Sequence, residues 1–294
     1  VNIISVFKKF ETNEQCIAHL ERVRWKHGVK CAYCDSFHVT ACPKEQRHHC
    51  NKCNKTFSVT VGTIFHHTHL PLKTWFLALA LMLNAKKGLS ARQLARDLEI
   101  NKNTAWRITM KIREAMEYDG ELLTGIVEVD EVFIGGKPRK RNEHKKNAAY
   151  RKPKSPILGA VSRESGQVIT QVLSKEASID ADLLNGFIKR NVNIDKTSVL
   201  LTDEYSGYSS VSKFLSHLTV NHSERFEGED GVNTNTIEGF WAIVKRGIVG
   251  QYHKVSEYYL PRYLNEFSFR YNHRKIEMEA VFDKVIMKGL SSQV

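Results

Sequence analysis

Three acidic residues, Asp130, Asp203 and Glu238, stand in or at the end of apolar segments, and their types suit one chemistry, the oxygen ligation of a hard divalent cation such as Mg²⁺ or Mn²⁺. Asp130 interrupts Val127-Glu128-Val129-Asp130-Glu131-Val132-Phe133-Ile134, which alternates as a strand does and stops at Gly135-Gly136. A carboxylate inside such a strand is costly to bury unless it is paired or bound to a metal. A second hydrophobic run, Ser198-Val199-Leu200-Leu201-Thr202, leads into Asp203. Glu238 falls in a segment from Asn233 to Arg246 that reads as a helix from Thr236 on, with Ile237, Trp241 and Val244 on its apolar stripe. Glu238 and Lys245 share a second stripe about two turns apart, so an acid for a metal and a base for phosphate face one cleft.

Four of the six cysteines form two C-x-x-C pairs, Cys31/Cys34 and Cys50/Cys53. That spacing closes one tetrahedral Zn²⁺ site, which in so short a segment substitutes for a hydrophobic core. Four thiolates complete the zinc shell, so His48, His49 and the cluster His66, His67 and His69 are not expected to be ligands. Cys16 and Cys42 remain as structural thiols. Paired thiols of this kind are metal ligands in a reducing compartment rather than disulfides.

The elements that must position these groups follow in chain order. Thr12-Asn13-Glu14-Gln15 has a capping-box layout and opens a short helix before the first cysteine pair. A helix begins at Pro71 with Trp75, Phe76, Leu79 and Leu83 on its apolar side and ends at Gly88. A short capped helix and turn over Leu89 to Ile100 and a longer helix over Asn101 to Arg113, basic on its exposed face, then suit a helix-turn-helix. Lys102, Asn103, Thr104 and Arg107 are its expected DNA-facing residues. After the Asp130 strand, residues 137–154 carry nine Lys or Arg against one Glu. Leaving the acid-bearing strand directly, this stretch is expected to clamp phosphate through Lys137, Arg139, Lys140, Arg141, Lys145 and Lys146. Two strands, a helix capped by Ser178, the Asp203 strand, a helix over 207–215 and a short strand near Leu218 precede the Glu238 helix. The sum is an α/β domain, a mixed sheet with three antiparallel strands first and parallel ones after.

A formal charge of +12 over 294 residues and a pI near 9.4 favour a polyanionic partner, double-stranded DNA first. There is no long apolar run and no signal-like start, so a cytoplasmic protein is expected, on the nucleoid when DNA-bound. The opening residue, Val1, raises the expectation of residues before it.

Taken together the motifs resemble zinc-ribbon insertion-sequence transposases of the DDE, ribonuclease-H-like class. They are the two cysteine pairs, Gly62-Thr63-Ile64-Phe65 with Trp75, Val129-Asp130-Glu131 with Gly135-Gly136, Thr202-Asp203-Glu204-Tyr205, Asn235-Thr236-Ile237-Glu238-Gly239-Phe240-Trp241 with Lys245-Arg246, and Tyr263-Leu264-Asn265-Glu266-Phe267 with Tyr271-Asn272 and Arg274. The resemblance implies a zinc-ribbon region (1–68), a helix-turn-helix (69–120) and a ribonuclease-H-like catalytic domain with C-terminal helices (121–294). It implies two catalytic Mg²⁺ or Mn²⁺ ions on Asp130, Asp203 and a third residue, one structural zinc, phosphate contacts from Lys245 and Arg246, recognition of terminal inverted repeats, and at least a dimer on DNA. Asn235 and Glu238 both stand for the third position. Glu238 is preferred, because a carboxylate neutralises a hard cation better than an amide. A DNA-binding regulator on an inactive nuclease-like fold and a metal-dependent nuclease that cleaves without joining are the alternatives.

Overall fold

The computed structural model describes residues 2–135, 154–220 and 233–291. The chain forms two units, Val1–Glu117 with Lys275–Val294, and Tyr118–Arg274.

The first unit opens with helices α1 (Ile3–Lys9) and α2 (Asn13–Arg24). The expected capping box starts α2: the Thr12 side chain accepts from the Gln15 amide, and the Gln15 side chain accepts from the Thr12 amide. Strands β1 (Val39–Cys42), β2 (Arg47–Cys50) and β3 (Thr56–Phe57) then form a small antiparallel sheet. Helix α3 (Leu72–Asn84) buries Trp75, Phe76, Leu79 and Leu83, as its periodicity predicts. Helices α4 (Ala91–Asp97) and α5 (Lys102–Ala115) are capped by Ser90 and Asn101, whose side chains accept from the amides of Gln93 and Asn103. They are two consecutive helices packed on each other across a short turn. Burial of Ala105, Ile108 and Ile112 leaves Lys102, Asn103 and Arg107 exposed and Thr104 half-buried. Arg113, near the end of α5, is buried at 1% exposure.

The second unit is built on a five-stranded sheet of β4 (Leu123–Ile134), β5 (Ser155–Ser162), β6 (Val168–Val172), β7 (Val192–Asp203) and β8 (His217–Val220). Helix α6 (Ala181–Asn191) precedes β7, and α7 (Asn235–Gly247) and α8 (Leu260–Asn272) follow the sheet. The order is β6-β5-β4-β7-β8, with β4, β5 and β6 antiparallel and β7 and β8 parallel to β4. This is the ribonuclease-H-like arrangement that the resemblance implies. One sheet face packs Val127, Val129 and Leu200 on Leu184, Phe187 and Ile188 of α6. The other packs Val132, Ile157 and Val161 on Ile237, Phe240, Trp241 and Val244 of α7 and Leu264 of α8.

Two local expectations change. The cap of α6 is Asp180, which accepts from the Leu183 amide, rather than Ser178. The helix expected over 207–215 is two short 3-10 turns, Ser206–Tyr208 and Val211–Lys213. The segment is rich in serine, whose hydroxyls compete for backbone hydrogen bonds, and it buries Tyr208, Val211 and Leu215.

Gly159 on β5 lies opposite Asp130 in the ladder. A Cβ there would meet Cζ2 of Trp241 at 2.3 Å and Cδ1 of Ile237 at 3.2 Å, so the glycine lets α7 lie close against the sheet beside Asp130. Gly159→Ala is expected to lower unfolding free energy by about 1–3 kcal/mol, read by urea denaturation, because neither ring nor backbone can yield cheaply. An unchanged midpoint would mean that α7 is not seated this way.

The end of α8 explains the Tyr271-Asn272 and Arg274 motif. The Asn272 side chain accepts from the Val168 amide at 2.7 Å and donates to the Val168 carbonyl at 3.0 Å, covering part of the edge of β6. Arg274 donates to the Gly166 carbonyl and lies over the Tyr271 ring.

The last helix, α9 (Met278–Ser291), belongs to the first unit, not to the sheet domain with which the sequence grouped it. Its Asp283 Oδ1 is 3.0 Å from His19 Nε2, Phe282 packs edge-on to Phe76, and the Gly289 carbonyl accepts from the Ile64 amide. An amphipathic stripe announces that a helix will be buried without naming the surface that buries it.

Candidate active site

Strand β4 delivers Asp130 beside the end of β7, its parallel neighbour, which ends on Asp203. Ligand oxygens of Asp130, Glu131 and Asp203 all lie within 4.8 Å of one another. Three half-buried carboxylates so close repel each other, and a divalent cation is the economical way to balance them. Burial, then the charges of Glu131 and Asp203, push the Asp130 carboxyl up to about 7, with a smaller contribution from Glu238. Burial also raises Glu131, opposed by the Tyr208 hydroxyl that donates to its Oε2 at 2.8 Å. Asp130 Oδ1 accepts from the Glu131 amide, and Asp203 Oδ1 accepts from the Tyr205 amide.

The sequence expectation brought Asp130 and Asp203 together and the structure does the same. Glu131 joins them, although in the sequence it stood only as a motif neighbour of Asp130. Glu238 is not within that group: its Oε1 accepts from Thr234 Oγ1 at 2.9 Å, and it acts on Asp130 through its charge. Asn235 and Glu238 are both exposed in the first turn of α7, and Lys245 and Arg246 are exposed in its last turn. Lys137, Arg139, Lys140, Arg141, Lys145 and Lys146 lie outside the described residues.

Sequence reasoning also missed Glu128, fully buried two residues before Asp130. Its Oε1 accepts from Arg163 Nε at 2.6 Å and its Oε2 from the Ile237 amide at 2.8 Å. The signal was present: alternation puts Glu128 on the same sheet face as Asp130, where an acid needs a partner.

In the first unit the four cysteine sulfurs converge, with Cys31–Cys53 at 3.7 Å and Cys34–Cys50 at 3.6 Å. A tetrahedron with Zn–S of about 2.3 Å sets sulfurs about 3.8 Å apart, so the donor set fits zinc. After each pair the chain turns through a left-handed residue, Asp35 (φ 59°) and Asn54 (φ 56°), whose amides donate to the carbonyls of Cys31 and Cys50. His48 is no ligand: its Nε2 is 2.8 Å from Glu21 Oε1 and its ring packs against Trp25. His66 and His67 stack on each other, and no metal-holding group among the described residues includes them. Cys16 is fully buried and Cys42 partly so, both outside the cluster.

Residues 122–272, just over half of the chain, match the ISXO2-like transposase domain, and residues 11–56 match a transposase zinc-ribbon domain. The chain belongs to the ISXO2-like transposase family. Its similarity to a Halobacterium salinarum protein, described as an uncharacterized protein in transposable element ISH50, is 24% identity over 279 residues, covering 90% of this chain and 92% of that one. Among solved structures it is similar to the simian T-cell lymphotropic virus intasome (14% identity, TM-score 0.32, 64% of this chain and 66% of that). It is also similar to the Mos1 strand transfer complex (12% identity, TM-score 0.30, 73% and 78%). The matched transposase domain spans the whole acid-bearing sheet with helices α6, α7 and α8, and the matched ribbon ends just after the second cysteine pair. No helix among the described residues is long and apolar enough to cross a membrane.

Proposed function

We propose that this transposase binds the terminal inverted repeats of its element and catalyses strand cleavage and strand transfer, with Asp130, Asp203 and Glu238 as metal ligands and Asn235 as the alternative third residue. The observation that carries the reading is the convergence of Asp130 and Asp203, from two parallel strands, inside the matched transposase domain. Glu131 adds a third carboxylate to that group. When bound, two Mg²⁺ or Mn²⁺ ions lower the pKa of the attacking water or 3′-hydroxyl and neutralise the leaving oxygen. The chain supplies the rest. Asp130 and Asp203 fix the ligand oxygens on rigid strands, and Tyr208 orients Glu131. Lys245 and Arg246, on the helix that carries Glu238, hold phosphates near the acids, aided by the basic residues from Lys137 to Lys146.

Recognition of the ends falls to the first unit. Lys102, Asn103, Thr104 and Arg107 at the start of α5 reach base edges and phosphates, and the ribbon, held by one zinc on Cys31, Cys34, Cys50 and Cys53, supports that grip. Two ends must meet, so the working form is at least a dimer, acting in the cytoplasm at the nucleoid. The test uses labelled duplexes carrying the element's own ends with Mg²⁺ or Mn²⁺. Cleaved and joined products are expected. Cutting of unrelated duplexes without joining would make the protein a nuclease, and tight end binding without any cutting would make it a regulator.

Substituting Arg107 by alanine is expected to weaken end binding about 5- to 150-fold at fixed salt, the loss of a base or phosphate contact worth about 1–3 kcal/mol. A gel-shift titration reads it, and unchanged affinity would remove α5 from the DNA interface.

A further inference from the structure

At the start of helix α7 the Thr234 side chain makes no capping hydrogen bond to the first-turn amides. Four first-turn amides of any helix need acceptors from elsewhere. Here one is supplied from the middle of the sheet. Glu128 Oε2 accepts from the Ile237 amide at 2.8 Å across 109 residues of chain, a carboxylate at the positive end of a helix. The other oxygen of Glu128 accepts from Arg163 Nε at 2.6 Å. Arg163 stands just after β5, its amide tied to the Ile126 carbonyl on β4. Its Nη2 donates to the Asn233 carbonyl at 2.6 Å and to Asn233 Oδ1 at 2.8 Å, and that same Oδ1 accepts from the Asn235 amide.

The consequence is geometrical. Glu128 and Asp130 lie two residues apart on one face of β4, so their α-carbons are about 6.6 Å apart on a rigid element. Ile237 and Asn235, which the clamp holds, flank or include both candidates for the third ligand. We propose that Glu128, Arg163 and Asn233 form a buried positioning clamp that sets the first turn of α7, and with it Glu238 or Asn235, against the Asp130 strand. The inference rests on the transposase reading above and deepens it. A fully buried acid is an expensive cap, and an ordinary Ser or Asp at position 234 would cap α7 without fixing it to β4. The expense is understandable where a ligand on a helix must meet a ligand on a strand.

The test is a Mn²⁺ titration of cleavage on labelled end duplexes, with hydrogen exchange of the peptide spanning residues 234–240 measured on the same proteins. Glu128→Gln keeps an acceptor for Ile237 and removes the charge that meets Arg163, Arg163→Met removes the bridge, and Arg163→Lys restores one charged donor. Phe187→Leu, in the core on the opposite face, matches for lost stability. The first two variants are expected to cut about 10- to 100-fold more slowly and to need several-fold more Mn²⁺. Their 234–240 amides should exchange faster while end binding is unchanged, and Arg163→Lys should fall between them and wild type. If they lose activity only as Phe187→Leu does, with the Mn²⁺ midpoint fixed, the clamp is structural and the proposal fails. If wild type itself never cuts, the transposase reading fails, and unaltered exchange at 234–240 in the variants would then overturn the clamp separately.

Discussion

Asp130→Asn is expected to slow Mn²⁺-dependent strand cleavage by at least about 10³-fold while raising the stability of the metal-free protein, because the same carboxylate that serves the metal burdens the empty fold. The ordinary pKa of this carboxyl is 3.8 and burial beside Glu131 and Asp203 pushes it up to about 7. The folded state therefore holds its proton more tightly than the unfolded chain does. Whatever stability this contributes is fully present below pH 3.8 and is lost as pH rises through about 7. Without metal, wild type should thus melt at a lower temperature at pH 8 than at pH 5. Asp130→Asn should lose that part of the pH dependence and gain about 1–2 kcal/mol at pH 8, a few degrees in melting temperature. Mn²⁺ should restore wild type at pH 8 and leave the variant unmoved. Thermal melts at both pH values with and without Mn²⁺ decide it, and identical pH dependence in the two proteins would show that Asp130 is not held among competing charges.

Removing zinc is expected to abolish end binding by unfolding the ribbon. The core around the sulfurs consists of Cys31, Cys50, Phe57 and Val61 with Trp25, Val29 and Val39 at its margin, too little apolar surface to hold three short strands. Structural zinc contributes about 10–16 kcal/mol in ribbon-sized peptides, so chelation or Cys50→Ser should leave β1–β3 without protection from hydrogen exchange. Strands β4–β8 have their own core and should keep theirs. Measured zinc near one ion per chain, lost together with gel-shifted complex, is the expected result. A ribbon that stays protected after metal is stripped would contradict it.

Legibility in the sequence followed the reach of the interactions. The two cysteine pairs, the α2 capping box and the Asp130 strand were legible because their signals are local: fixed spacing, side chain to nearby amide, and alternation. The pairing of Asp130 with Asp203 was also legible, since each ends or interrupts a hydrophobic run that the matched topology sets side by side. What was not legible depends on distant partners. Alternation put Glu128 on the face of Asp130 and so signalled that it needs a partner, but only the tertiary contact with Ile237 and Arg163 says which. Gly159 matters because Trp241 arrives from far along the chain. Helix α9 was assigned to the wrong unit because an apolar stripe fits any complementary surface. The 207–215 helix failed for the opposite reason: its serines favour local turns over a regular helix.

Glu238 remains the residue on which geometry and chemistry must be joined, since it stands outside the Asp130, Glu131 and Asp203 group while its charge acts on Asp130. The most direct measurement is a strand-transfer assay with Mn²⁺ on the element's own labelled ends, comparing wild type with Asp130→Ala, Glu238→Ala and Asn235→Ala. Joined products that vanish with Asp130→Ala and Glu238→Ala and persist with Asn235→Ala are the expected result. Joining that survives loss of Asp130 would contradict a transposase centred on these acids, and joining that survives Glu238→Ala but not Asn235→Ala would move the third ligand to Asn235.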